Sequence, residues 1–261
     1  MNINTGKTIR LGNLINPNNQ RALWLDLSIT GEVGAKMSFR DFYKNITVLG
    51  QHCDGAIVNP GFLEKAGELF GGAQRWAPIV RADWTNYRRP DGFCLPGKPI
   101  QRVMICDVED ALRLGAEAIC ARFIMDVDDA FEAENVLSIS RLVRAAEPQG
   151  LPVIAEICPV GENINGRDFG AIVKLGIACL LEAGVEALII PACLPEIQAE
   201  IAAWVDIPLI IKTDKLPDVT TLINSTNGFL LRETSIGEPA FAAELEELYC
   251  RMQTREGGVC R

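Results

Sequence analysis

Short apolar runs recur along the chain at 22–25, 56–58, 78–80, 118–123, 152–157, 187–190, 208–211 and 228–231. Runs of this length bounded by polar residues suit strands buried on both faces, and the segments between them carry helical spacing with start and stop signals. Ser38 precedes FRDFYKNI as an N-cap with Asp41 three positions on, and Asp107 opens VEDALRLG, which Gly115 closes. Over 130–146, Val136, Ile139, Val143 and Ala146 fall on one stripe that Gly150 ends; a further helix is expected over 167–182 into Gly184, and an acidic one from Pro239 to near Tyr249.

Strand and helix alternating eight times predict a parallel sheet, and eight right-handed units close into a single (β/α)8 TIM barrel. An open doubly wound sheet shares the alternation, but the segment after the first run, LDLSITGEVG, matches its phosphate-binding GxGxxG poorly. The 261 residues suit one barrel domain over 1–261. Within it, the asparagine-rich segment 1–21 is expected to cap one end, and 250–261 to form a flexible tail.

Composition narrows the partners. A net charge of −9 and a pI near 4.8 work against nucleic acid, because phosphate contacts need a concentrated basic surface. No apolar stretch is long enough for a membrane span, and MNINTGKTIR lacks the apolar core of a signal peptide, so a cytoplasmic protein acting on a small molecule is expected. The nine cysteines show no CxxC pair and read as reduced thiols, with Cys120 and Cys179 as small hydrophobes. The only histidine, His52, precedes the second run, at the end of a barrel that serves stability, which excludes a histidine-dependent triad or a histidine-rich zinc site. Neither a cofactor nor a resident metal is expected.

In a TIM barrel the chemistry gathers at the C-terminal ends of the strands. Those ends carry Asp26, Asn59, Arg81 to Asp83, Arg122, Glu156 with Cys158, Lys212, and Arg232 with Glu233. A lysine finishing an apolar strand is desolvated, which lowers its pKa and frees a neutral amine to attack a carbonyl; the plainer alternative is a structural ion bridge to Asp26, Glu156 or Asp214. Asp26 and Glu156 suit proton transfer, or Mg²⁺ binding with Asp83 as a third ligand. Arg122 or Arg232 suits an anionic substituent, with Asn59, Asp83 and Cys158 lining the pocket. Trp84 and Tyr87, in the loop ADWTNYRRPDG, are expected to pack as a lid.

The segments VEDALRLGAEAI, GLPVIAEICPVGENING and LEAGVEALIIP, in that order, resemble the archaeal-type class I fructose-bisphosphate aldolases and their deoxyribose-phosphate aldolase relatives. The resemblance runs from about Ala22 to Leu231. It implies a (β/α)8 barrel, assembly into a homo-oligomer, and lysine-imine cleavage or formation of carbon–carbon bonds. Asp26 matches that family's catalytic aspartate, whereas alignment on Gly184-Val185-Glu186 puts Ile189 where its imine lysine stands. The fifth-strand aromatic is replaced by Cys158, and the phosphate-binding glycines by Lys212-Thr213 and Leu231-Arg232-Glu233. Lys212, on the seventh strand, is the candidate replacement nucleophile. The alternatives are a non-catalytic scaffold or binding protein that retains the barrel, and a carboxylate- or Mg²⁺-dependent isomerase or lyase.

Overall fold

The computed structural model describes residues 5–34, 37–72, 76–89, 92–95, 97–160, 169–213, 222–232 and 240–253. All eight expected strands form: β1 (Ala22–Asp26), β2 (Gly55–Val58), β3 (Ala77–Arg81), β6 (Ala118–Met125), β7 (Val153–Pro159), β8 (Ala187–Pro191), β9 (Leu209–Thr213) and β10 (Gly228–Arg232). They pair in parallel in the order β1-β10-β9-β8-β7-β6-β3-β2 and close into a barrel. Most strands run one or two residues past the apolar run, so that Asp26, Arg81, Lys212 and Arg232 are still in the ladder. Strand pairing there does not depend on apolar side chains.

Two elements escaped the hydrophobic pattern. β4 (Asp83–Thr85) and β5 (Arg102–Met104) form a separate antiparallel pair beside the mouth. The outer layer contains α1 (Thr5–Leu14), α2 (Thr30–Val33), α3 (Phe39–Leu49), α4 (Pro60–Ala66), α5 (Val108–Arg113), α6 (Asp129–Ala146), α7 (Phe169–Ala183), α8 (Pro195–Trp204) and α9 (Phe241–Gln253). Ser38 and Asp107 cap α3 and α5 as expected, accepting from Asp41 N and Asp110 N, and Asp128 does the same for α6. Helix α9 runs beyond Tyr249 into the expected tail because Met252 is buried and the Gln253 side chain accepts from Asn16 (2.7 Å) and Asn19 (3.1 Å). Residues 254–261 and 1–4, with Asp214, Glu233, Pro239, Arg167 and Cys260, lie outside the described residues.

Alternation along each strand sorts side chains into two cores. Outward-facing residues meet the helices, while Trp24, Ile57, Ile79, Ile154, Ile189 and Leu230 fill the barrel interior with Leu14 and Ile15. The last two come from the end of α1 and the residue after it, so the N-terminal segment closes the bottom of the barrel. Trp24 Nε1 donates to Leu14 O (2.9 Å), Arg10 donates to Ala116 O (3.0 Å), and Lys7 pairs with Glu147 and Glu186. Gly228 has no alternative here: a Cβ on it would collide with the Ala22 backbone of the adjacent strand. His52 lies in a short 3-10 turn before β2, away from the mouth. Among the described residues, no helix is long and apolar enough to cross a membrane.

At this lower end Asp54 accepts from Leu23 N (2.8 Å) and Tyr249 Oη (3.2 Å). Burial, only partly offset by these two donors, pushes its carboxyl up to about 6. The folded protein therefore holds this proton more tightly than the unfolded chain does, so the contribution to stability is full at acid pH and is lost as pH rises through about 6. Asp54→Asn keeps an acceptor for Leu23 and a partner for Tyr249 but carries no charge. Its stability relative to the wild type should improve by about 2 kcal/mol between about pH 4.5 and about pH 7.5. Urea unfolding of both proteins at the two pH values measures this, and an unchanged difference would refute it.

Candidate active site

Above the apolar interior the inward positions become ionic. Asp26 ends β1, Arg81 ends β3, Arg122 and Glu156 are register partners on β6 and β7, and Lys212 lies on β9. Glu32 from α2 and Arg88 from the segment after β4 reach in from above. Asp26, Arg81, Arg122 and Glu156 have no solvent exposure, and Lys212 keeps only 7%. So many buried charges persist only because each meets opposite charge or a hydrogen-bonding group.

Glu156 is the hub. Its Oε1 is hydrogen-bonded to Lys212 Nζ and lies 3.3 Å from Arg88 Nη2, while its Oε2 lies 2.8 Å from Arg81 Nη2 and 3.7 Å from Arg122 Nε. Asp26 Oδ1 accepts from Ser28 Oγ (2.6 Å) and Ser28 N (3.1 Å). Its Oδ2 faces Arg88 Nη2 (3.5 Å), Arg81 Nη2 (3.8 Å) and Lys212 Nζ (4.0 Å) without a hydrogen bond of good geometry. Arg122 also pairs with Glu32 and with Asp83 Oδ1 (3.5 Å).

The electrostatics follow from this crowding. Burial lowers the Lys212 amine well below the usual lysine range, and Arg88, Arg232 and Arg122 push the same way against the pull of Asp26. Burial alone would raise Asp26, but Arg81, Arg88, Lys212 and Arg122 outweigh it and hold the carboxylate ionised. For Glu32 the balance is reversed: desolvation wins over Arg122 and Arg88, and its carboxyl is raised. Burial also raises the Cys158 thiol and the Tyr87 phenol, which keeps both protonated.

The structure therefore brings Lys212, Asp26, Glu156 and Arg122 into one chamber. Arg232 is the register partner of Asp26. Cys158 borders the chamber, accepting from Tyr87 Oη at 3.5 Å. Two other candidates serve as supports: Asn59 donates to Ser28 O (2.8 Å), fixing the turn that holds Asp26, and Asp83 anchors the hairpin through Arg102 Nε (2.7 Å) and the backbone N of Arg122 (3.0 Å). Trp84 donates to Gly31 O (2.8 Å), and Tyr87 accepts from Arg88 Nε (2.9 Å), so this segment packs over the mouth while also delivering a charge to it. Sequence reading placed Arg81 at a strand end without giving it a role, and it missed Arg88 and Glu32. Nothing periodic marks these two charges, one on a connecting segment and one on the four-residue α2. Among the described residues, no group of three or more His, Cys, Asp or Glu side chains is placed to hold a metal ion.

The mouth of a closed (β/α)8 barrel thus holds a buried lysine among carboxylates. Residues 26–186 match the DeoC/LacD family aldolases, and the chain belongs to that family. The fold is also that of solved fructose-bisphosphate aldolases. A Schiff base forming fructose-1,6-bisphosphate aldolase is 18% identical with a TM-score of 0.71, covering 93% of this chain and 98% of its own. An archaeal fructose 1,6-bisphosphate aldolase is 18% identical with a TM-score of 0.72 (93% and 97% covered), and the fructose-bisphosphate aldolase from Slackia heliotrinireducens is 12% identical at 0.70 (97% and 85% covered).

Asp83 tests whether the ionic layer holds the mouth together. Asp83→Ala leaves Arg102 and Arg122 without their shared carboxylate in a buried setting, and should destabilise the protein by about 3–5 kcal/mol in urea unfolding. A loss below about 1 kcal/mol, the range of an exposed ion pair, would show that the layer is not a structural requirement.

Proposed function

We propose that the chain is an aldolase-type lyase or transferase that makes or breaks a carbon–carbon bond in a small oxo compound through an imine at Lys212. The observation that carries this reading is the state of Lys212: an amine buried at a barrel mouth, held well below its usual range and hydrogen-bonded to Glu156. Proton transfer within that pair gives a neutral nucleophile and a protonated acid side by side. Glu156 then supplies the proton with which the carbinolamine oxygen leaves as water. Asp26, kept ionised beside Lys212, stabilises the cationic imine. We further place the protein in the cytoplasm as a homo-oligomer, in keeping with its composition and the family likeness.

The register supports relocation of the nucleophile. Ile189 pairs with Ile210 on β9 within the apolar interior, and Lys212 is the next inward residue above Ile210. A lysine there enters the chamber from the strand adjacent to β8. A purely structural lysine would be stabilised as the ammonium, which burial first and then the neighbouring arginines disfavour against the pull of Asp26. A Mg²⁺ site at Asp26 and Glu156 fares no better, since Arg81, Arg88 and Lys212 already lie against both carboxylates.

Cyanoborohydride reduction in the presence of pyruvate, hydroxyacetone or dihydroxyacetone phosphate should leave an adduct that peptide mapping places on Lys212. Lys212→Ala should abolish it; an adduct that survives this change would sink the proposal. The trapping rate should level off at a pH well below the usual lysine range, because the neutral amine is already abundant. A rate climbing about tenfold per pH unit to about pH 10 would mark an ordinary lysine.

A further inference from the structure

The ionic chamber has polar atoms that no described residue satisfies. Arg88 spends Nε on Tyr87 Oη and Nη2 on Glu156 and Asp26, but its Nη1 is buried and has no hydrogen-bond partner among the described residues. Its side chain is only 6% exposed. A guanidinium N–H withdrawn from water without an acceptor is unfavourable, and the favourable remedy is an anionic oxygen. Asp26 Oδ2, in the same chamber, is a buried acceptor without a donor among the described residues.

The position of Arg88 limits what that anion can be. Arg88 Nη2 and Lys212 Nζ both lie on Glu156 Oε1, so two hydrogen-bond lengths and the width of the guanidinium put the unpartnered Nη1 at most about 8 Å from Lys212 Nζ. In an imine of a 2-oxo acid the carboxylate oxygens lie about 3 Å from the lysine nitrogen, and one further hydrogen bond reaches an arginine nitrogen about 5–6 Å away. The phosphate of a ketose phosphate ester reaches the same arginine only by ordering three rotatable bonds, an ordering that a carboxylate on C2 does not need.

Resting on Lys212 as the imine residue, we infer that Arg88 determines specificity and that the substrate is a short 2-oxo acid whose carboxylate lies against the Arg88 guanidinium. The neutral amine adds to C2 while the carbonyl π pair moves to oxygen. That oxygen takes up the amine proton and the Glu156 proton and departs as water, leaving a protonated imine and a Glu156 carboxylate. Cleavage follows when Glu156 takes the proton of a C4 hydroxyl, the C3–C4 pair moves toward the imine to give the enamine, and C4 leaves as an aldehyde. Glu156 returns the proton to C3, and water hydrolyses the resulting imine.

The test is cyanoborohydride trapping with pyruvate, its neutral analogue hydroxyacetone, and dihydroxyacetone phosphate, on the wild type, Arg88→Gln and Arg88→Lys. In the wild type, pyruvate should half-saturate trapping at a concentration at least about tenfold below hydroxyacetone. In Arg88→Gln the pyruvate-to-hydroxyacetone ratio should rise by about 10–100-fold, with Arg88→Lys between; the ratio cancels any change in the reactivity of Lys212. If Arg88→Gln does not fold, the Lys variant, which keeps the charge and loses the fork, carries the comparison with an expected rise of at least about threefold. Trapping of either other ketone in preference to pyruvate, or an unchanged ratio, overturns the inference and leaves the imine at Lys212 standing. Absence of trapping by all three overturns both.

Discussion

Everything at the mouth of this barrel depends on the pairing of charges that cannot reach water. Closing eight strands brings inward residues near their C-terminal ends into a shared space, and here those residues include Asp26, Arg81, Arg122, Glu156 and Lys212. Isolated, any one of them would be prohibitively costly to bury; interlocked, they hold each other in place and fix the strand ends they come from. Glu156 is central because three arginines and the lysine converge on its two oxygens.

The layers of the barrel divide the labour. The apolar interior, closed below by the end of α1 against Trp24, supplies the hydrophobic drive and a dry floor. Above that floor the low local dielectric strengthens every ionic contact and makes the state of Lys212 sensitive to its neighbours. The hairpin of β4 and β5 completes the enclosure: Asp83 ties it to Arg122 and Arg102, and the segment that follows carries Tyr87 and Arg88 over the opening. Burial and then the arginines around one amine lower its pKa, and the same arginines favour an anionic ligand, so reactivity and substrate preference share an origin.

Family membership and mechanism rest on different features. The fold and the matched segment identify an aldolase barrel, whereas the proposed chemistry depends on a lysine one strand away from the position suggested by the resemblance. Relocation between adjacent strands is geometrically easy because inward side chains on neighbouring strands converge on the same axis. Ile189 then becomes an ordinary member of the apolar interior.

The sequence by itself determined the eight strands, the caps at Ser38 and Asp107, and the arrival of Asp26, Glu156 and Lys212 at strand ends, because each is a consequence of local periodicity or capping chemistry. Asn59 and Asp83 were also correctly placed near the mouth, but only their contacts show that they support the turn at Ser28 and the hairpin. The tertiary structure alone decided that Arg88 and Glu32 enter the chamber and that Lys212 meets Glu156 rather than solvent. Loop residues have no period to announce where they return, and the charge state of a buried group depends on neighbours from distant segments, which only the closed barrel brings together.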